Sequence, residues 1–362
     1  MKVIDLKKVD PATVVLEAKS ILEQGGLVIF PTETTYGAGV LATHQTAVNK
    51  LLAYKSRREG KPLSIAVTNL DMAKQYVEVN DQAQKLYAQF LPGPVTVVSK
   101  GKKTVAEGVE SEYGTLGVRI PDFPLVIELV QALGQPITAT SANASGKKSP
   151  YSIQDILDGL SAKQKSLIDL VIDAGELPHR PPSTVIDTTL STPVVFRQGE
   201  LQTGFSTSAG VELISNSEQE TKDIASRLLL KHWENIKASG LVIGLDGSLG
   251  MGKTIFSKGV AEFLQISETV TSPTYSYIEE YDYQRFSQHG KFYHLDVWKI
   301  NSHDEFDRLE IKSLLTAGNV LVIEWYSQVA DYLAPVLSSQ KTPLITLNFT
   351  QQADQRTLTI HD

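Results

Sequence analysis

Residues 241–264 read LVIGLDGSLGMGKTIFSKGVAEFL. Three kinds of sequence follow one another there without a gap. LVIGLD (241–246) has the length and apolar content of a buried strand. KTIFSKGVAEFL (253–264) carries its apolar residues at helical spacing. Between them GSLGMGKT (247–254) fits the pattern G-x-x-x-x-G-K-[ST], in the strand–loop–helix context that gives the pattern meaning. Gly247, Gly250 and Gly252 let backbone N–H groups turn inward around phosphate oxygens, and the helix start adds positive potential. Ser248, Leu249 and Met251 complete the loop. Lys253 is expected at the β- and γ-phosphates and Thr254 at Mg2+. The reading is a P-loop ATP site on an α/β nucleotide-binding scaffold.

Outward from this stretch, a helix is expected over 217–239. It opens on SNSEQETKD (215–223), a cap followed by acidic residues suited to a helix start. Strands are expected near 275–281, 291–296, 320–324, 343–349 and 356–360. Two of them end on carboxylates, Asp296 in FYHLD and Glu324 in VLVIEW. Strand carboxyl ends face the ligand crevice in such folds, so both are candidates to serve the metal or the attacking water. Trp325 either stacks on a nucleotide or packs.

GSLGMGKT, SPTY (272–275), HLD (294–296) and EW (324–325), in that order, resemble the TsaE family, the P-loop ATPase of bacterial tRNA threonylcarbamoylation. The likeness covers about 211–362. It implies an ATP site formed by residues 247–254 with Trp325, Mg2+ and water organised by Thr254, Asp296 and Glu324, and an SPTY segment approaching the nucleotide. The chain departs from the family where Ser248 and Met251 stand in for the usual Asp and Ala of the loop. It departs again at Trp298-Lys299, where an Arg usually follows the strand.

The first half reads differently. The segment PTETTYGAG (31–39) follows the strand LVIF (27–30), with hydroxyls and glycines at a strand end. KSRREGKPLS (55–64) concentrates Lys55, Arg57, Arg58 and Lys61 at a helix end, where cations are also welcome as plain, wet caps. TSANASG (140–146) places Ser141 and Asn143 after the strand PITA. VRIPDFP (118–124) adds Arg119, and STVID with FRQGE adds Ser183 and Arg197. Helices are expected near 12–24, 45–56, 80–91, 123–133 and 153–159. Short strands near 63–67, 94–98, 115–119, 136–139, 169–172, 184–187 and 193–197 make this a mixed α/β domain.

Taken together, PT-x-T-x-YG-x-G, K-x-R, PGP-x-T, VR-x-P-x-x-P, SAN-x-SG, ST-V and R-x-G resemble the YrdC/TsaC family across about 20–200. The resemblance implies an open, mixed-sheet α/β fold that makes threonylcarbamoyl-AMP and pyrophosphate from L-threonine, bicarbonate and ATP. Carried over by motif, Lys55, Arg57, Lys61, Ser141 and Asn143 serve the phosphates, and Ser183 and Arg197 the nucleotide. Thr32, Thr35 and Tyr36 line the threonine pocket, with Arg119 for its carboxylate. Glu33 is read as a rim charge, with a base for threonine's ammonium as the rival role.

The expected organisation is therefore a YrdC-like domain over 1–205, a linker over 206–212 and a P-loop domain over 213–362, with ATP at two sites and Mg2+. The 362 residues include no cysteine. That excludes disulfides, cysteine-ligated zinc and thiol catalysis, and argues against the hydrogenase-maturation carbamoyltransferases that share YrdC-like domains. Residues 1–205 hold 21 basic and 21 acidic side chains, and residues 206–362 hold 13 and 20. Neither half has the basic excess that unaided binding to a phosphate backbone wants. This weakens the alternative of an RNA-binding or ribosome-maturation factor with regulatory ATP sites. A small-molecule kinase lacks any named acceptor. Transferase partners of the TsaB and TsaD type are expected, with tRNA reached through them. No apolar stretch approaches the ~20 residues of a membrane span, no signal peptide is read, and a cytoplasmic location is expected.

Overall fold

The computed structural model describes residues 1–55, 63–143, 148–190, 192–201, 210–273, 277–352 and 355–362. Arg57, Arg58, Lys61, most of the 202–210 stretch and Thr274-Tyr275 of the SPTY segment lie outside these. The chain divides into two compact units, the first mainly Met1–Thr189 and the second mainly the residues after 205.

The first unit contains strands β1 (Lys2–Asp5), β2 (Val28–Phe30), β3 (Gly37–Gly39), β4 (Ser64–Ala66), β5 (Val77–Glu78), β6 (Val95–Gly101), β7 (Thr115–Arg119), β8 (Ile137–Thr138), β9 (Thr140–Ser141), β10 (Leu170–Asp173), β11 (Thr184–Asp187) and β12 (Val194–Arg197). They form two mixed sheets, ordered β1-β10-β2-β3-β9 and β12-β11-β6-β7-β4-β8, with β5 beside β6. The run LVIF gives the buried strand β2, paired parallel to β10 and antiparallel to β3. Continuous apolar sequence suits a strand covered on both faces. The helix before it, Pro11–Glu23, starts where the Asp10 carboxylate accepts from the Thr13 N–H and Pro11 sets the first turn. One continuous apolar core runs from Ile4 to Val195.

The second unit is a single sheet. Its strands are β13 (Val211–Ser215), β14 (Leu241–Asp246), β15 (Ile278–Arg285), β16 (Gln288–Asp296), β17 (Val320–Glu324), β18 (Leu344–Gln352) and β19 (Gln355–His361). The order is β13-β19-β18-β14-β17-β16-β15. The four central strands, β18, β14, β17 and β16, are parallel. Their carboxyl ends therefore share one edge, the edge at which such sheets bind ligands.

Several expectations change. The helix expected over 217–239 is two, Glu218–Lys231 and Trp233–Ser239, broken at His232 so that Trp233 is fully buried. The expected linker 206–212 runs into β13, because Val211 and Glu212 already pair with Ile360 and Thr359. The helix Ala330–Gln340 escapes the sequence reading because Pro335 lies inside it, a residue that normally argues against a helix interior.

The helix Lys253–Leu264 packs closely on Glu218–Lys231. A Cβ at Gly259 would stand 2.6 Å from the Lys222 Cα and 2.9 Å from its carbonyl oxygen. Backbone cannot yield as a flexible side-chain tip can. Gly259→Ala should therefore push the two helices apart and destabilise the second unit by ~1–3 kcal/mol, the usual cost of overpacking. Differential scanning calorimetry checks this as a lowered thermal midpoint.

Candidate functional sites

In the first unit the last turn of the helix Gln45–Lys55 grips the turn after β9. Lys55 Nζ donates to the Ser141 carbonyl at 2.7 Å and to the Asn143 carbonyl at 2.6 Å. The Tyr54 hydroxyl donates to the carbonyl of Ala142, the residue between them. The reading of Lys55 as a plain, wet cap is corrected here, since the side chain is buried. Burial lowers its proton affinity from the ordinary 10.5 to about 8. Two carbonyls need two donors, which a neutral amine already supplies, so the third proton carries a charge that these contacts do not require. Ser141 is exposed and Asn143 partly so.

Glu33 also differs from expectation. It is no rim charge: the Arg119 Nη2 donates to its Oε1 at 2.6 Å, and the two side chains are only 10% (Arg119) and 9% (Glu33) exposed. The same Nη2 donates to the Thr34 hydroxyl at 2.9 Å. Glu33 Oε2 and Arg119 Nε are buried with no protein partner. The Thr32 hydroxyl donates to the Thr35 carbonyl at 2.7 Å and accepts from the N–H groups of Thr34 and Thr35, so it holds the loop's own shape. Thr32 and Thr35 are both buried. The Tyr36 hydroxyl turns to the Gly175 carbonyl at 2.7 Å and accepts from the Ala174 N–H. Burial pushes its ionisation up to about 12. Tyr36 thus fixes the loop against the end of β10, with its hydroxyl already spoken for.

Beyond β7, Arg197 donates from Nε to the Ser183 carbonyl and from Nη2 to the Ser183 hydroxyl, both at 3.0 Å. Thr96 shares that hydroxyl at 3.0 Å. Arg197 keeps solvent contact, yet the surrounding protein and the nearby Arg119 guanidinium lower its proton affinity. The structure therefore brings Arg119, Arg197, Ser183 and the 32–36 loop into one neighbourhood. Thr34 and Thr96 belong to it without having been singled out from sequence.

In the second unit glycines let the loop after β14 take a conformation closed to other residues. Gly247, Gly250 and Gly252 have φ of 138°, 80° and 104°, a region that side-chain-bearing residues rarely enter. Among the described residues, the backbone N–H groups from Ser248 to Ile255 donate to no other backbone group. Such a row of free donors at a helix start is an anion cradle. Lys253 Nζ lies folded on the loop, donating to the carbonyls of Gly247 (2.7 Å) and Ser248 (3.0 Å). It also stands 4.2 Å from the centre of the Trp325 ring. Burial lowers its proton affinity, against the pull of Glu324, Asp296 and Asp246. Trp325 is held in the left-handed region at φ 63°, a strained setting of the kind that collects at ligand sites.

Parallel register sets Asp296 directly opposite Glu324. Glu324 Oε1 accepts from the Thr254 hydroxyl at 3.1 Å and lies 2.9 Å from His294 Nε2. The other nitrogen of His294, Nδ1, lies 3.0 Å from the Thr271 carbonyl. His294 is fully buried, so this ring ties Glu324 to the segment that leads into Ser272-Pro273. His294 carries no local signal of this role, since its partners Thr271 and Glu324 lie 23 and 30 residues away along the chain. Ser272 donates to Asp296 Oδ2 at 3.1 Å. Burial first, and then the Glu324 charge, raise the Asp296 pKa above the usual carboxylate value. Two buried carboxylates beside a hydroxyl suit a magnesium ion, which takes one or two carboxylates and fills its shell with water and phosphate. Thr254, Asp296 and Glu324 would hold it.

A mixed-sheet α/β unit followed by an α/β unit with a P-loop at its parallel-strand edge defines the class, and comparison with known proteins narrows it. Residues 20–199 match the model of the Sua5/YciO/YrdC family, described as "Telomere recombination". Residues 215–358 match that of "Threonylcarbamoyl adenosine biosynthesis protein TsaE". A putative threonylcarbamoyl-AMP synthase of Methanocaldococcus jannaschii is 37% identical over 186 residues, 51% of this chain and 86% of that protein. A threonylcarbamoyl-AMP synthase of Pyrococcus abyssi is 35% identical over 185 residues, and the match covers 53% of its length. The crystal structure of P. abyssi Sua5 complexed with L-threonine superposes with a TM-score of 0.52 at 20% identity, covering 96% of this chain and 99% of that one. The chain belongs to the Sua5/YciO/YrdC family and carries a TsaE-family domain behind it.

The buried Glu33–Arg119 pair makes a direct test. Removing the guanidinium alone, as in Arg119→Met, leaves a buried carboxylate uncompensated and should cost ~3–5 kcal/mol. Adding Glu33→Gln to that variant should restore much of the loss. Urea denaturation of the single and double variants reads the coupling, and additive costs would dissolve the pair.

Proposed function

We propose that the first unit is a threonylcarbamoyl-AMP synthase. The amine of L-threonine adds to bicarbonate with loss of water to give the carbamate. A carbamate oxygen then attacks the α-phosphorus of ATP, and the bond to the bridging oxygen breaks to release pyrophosphate. Such a displacement asks for alignment and charge neutralisation more than for a side-chain nucleophile. The observation that carries the reading is the gathering of cations, with no nucleophilic triad among the described residues: burial, and then the nearby Arg119 charge, lower the proton affinity of Arg197. The relatives named as synthases support it. Lys55 with Arg57 and Lys61 would neutralise phosphate charge, and Ser141 and Asn143 would position the chain of phosphates. Ser183 and Arg197 would hold the nucleotide. Thr32, Thr35 and Tyr36 would shape the threonine pocket, with Arg119 at the carboxylate.

For the second unit the proposal is a P-loop ATPase that serves TsaB- and TsaD-type proteins in transferring the threonylcarbamoyl group to tRNA. Residues 247–254 would cradle the phosphates, Lys253 would swing from its carbonyls to the β- and γ-phosphates, and Glu324 would orient the attacking water. Magnesium would supply charge neutralisation at the phosphate oxygens. The tRNA would be reached through the partners, in the cytoplasm. Among the described residues no helix is long and apolar enough to cross a membrane.

Threonine-dependent pyrophosphate release from ATP and bicarbonate tests the synthase, with mass analysis for the acyl-adenylate. Lys55→Ala should lower that rate by ~10²-fold or more, as loss of one preorganised charge contact commonly does. Lys253→Ala should abolish nucleotide turnover in the second unit and leave pyrophosphate release within about twofold, the scale of a substitution remote from the reaction. Release of ADP and phosphate with no threonine-dependent pyrophosphate would overturn the synthase assignment.

The Lys55 cation exists below its folded pKa of about 8 and is lost as pH rises through it. In the Lys253→Ala chain, ATP affinity should therefore weaken between pH 7 and 9 with a midpoint near 8. Isothermal titration across that range checks it.

A further inference from the structure

Arg356 lies against the phosphate loop although it comes from the last strand of the chain. Alternation along β19 puts it on the same face as Leu358 and Ile360, both buried. At that face's open end its side chain covers Gly252. A Cβ built on Gly252 would meet Arg356 Cδ and Nε at 3.2 Å each and Cζ at 3.8 Å. The Arg356 Nε is buried and donates to nothing. Among the described residues no carboxylate pairs with the guanidinium. An arginine on an apolar face is ordinarily matched by an acid, because an unpaired buried donor is costly. Here the neighbour carries the same sign: the start of the helix Lys253–Leu264, capped by Gly252, with its free N–H groups. A guanidinium set beside the positive end of a helix is relieved by an anion.

We propose that Arg356 is a phosphate-binding residue of the second unit's nucleotide site, donating to the polyphosphate of a bound nucleoside di- or triphosphate. The inference rests on reading residues 247–254 as a nucleotide site. The β18–β19 hairpin supports the loop from one side: the carbonyl oxygen of Phe349 in β18 lies 2.5 Å from the Cβ position of Gly247, as Arg356 lies beside that of Gly252. Gly252 thus has two reasons to lack a side chain, its φ of 104° and the room the arginine takes.

The test compares the full chain with Arg356→Gln and Arg356→Lys, titrated with Mg-ADP and with inorganic pyrophosphate. The same titrations in Lys253→Ala chains subtract binding elsewhere. Arg356→Gln should weaken the Lys253-dependent affinity for both probes by about 10- to 100-fold, the range of a lost charged hydrogen bond. Arg356→Lys, which keeps stem and charge, should lose less. Thermal unfolding of both variants should stay near that of the parent chain. Unchanged affinities with a lowered melting temperature would make Arg356 a packing residue and overturn the proposal. Loss of ADP affinity with pyrophosphate affinity intact would move the guanidinium to the base and overturn it as well. If the parent chain itself shows no Lys253-dependent binding, the nucleotide reading of the loop falls, and this inference with it. Parent binding with an unaffected Arg356→Gln refutes the arginine alone.

Discussion

A buried lysine ammonium donating to two carbonyls of a tight loop recurs in both units. Lys55 does this with Ser141 and Asn143, and Lys253 with Gly247 and Ser248. Each contact fixes a loop whose remaining groups are the candidate ligands. Each also withdraws the cation from water, and in both cases that withdrawal lowers proton affinity. A cation desolvated in advance meets an incoming phosphate without first shedding a hydration shell, which is the advantage of a preorganised site. Carbonyl dipoles stabilise the charge less than a carboxylate would, so the lysine remains available for exchange to an anion.

The carboxylates of the second unit obey the complementary constraint. Asp296 and Glu324 end neighbouring parallel strands in register, and nothing in the fold lets one retreat from the other. Glu324 is steadied through one oxygen by Thr254 and His294, while Asp296 takes Ser272. Order in the site thus comes from the parallel sheet first, and from side-chain hydrogen bonds second.

How much of this the sequence discloses depends on whether the information is local. The strand–loop–helix stretch 241–264 is legible because glycine spacing, apolar run and helical period all lie within two dozen residues, and the fold class of both units follows from such runs. LVIF gives β2 for the same reason. Contacts between distant segments are not legible that way. Nothing around position 33 marks Glu33 as buried, since its partner Arg119 arrives on β7 from 86 residues away. The rim assignment failed on that fact. The wet Lys55 failed likewise, because a helix end looks solvent-facing until the 141–143 turn is laid over it. His232 breaks the helix expected over 217–239 for a tertiary reason, the burial of Trp233. The motifs named the neighbourhoods, and the sheet registers decided which atoms in them meet.

The position of Trp325 has an optical consequence. The chain has three tryptophans: Trp233 is sealed in the core, Trp298 is 41% exposed, and Trp325 faces a lysine ammonium at 4.2 Å. An indole's emission responds to a charge held over its ring. When Lys253 leaves its carbonyls for a phosphate, the charge above Trp325 moves and the field on that ring changes. The second unit therefore carries a built-in spectroscopic gauge of loop occupancy, readable from the unlabelled chain once the other two indoles are replaced by phenylalanine.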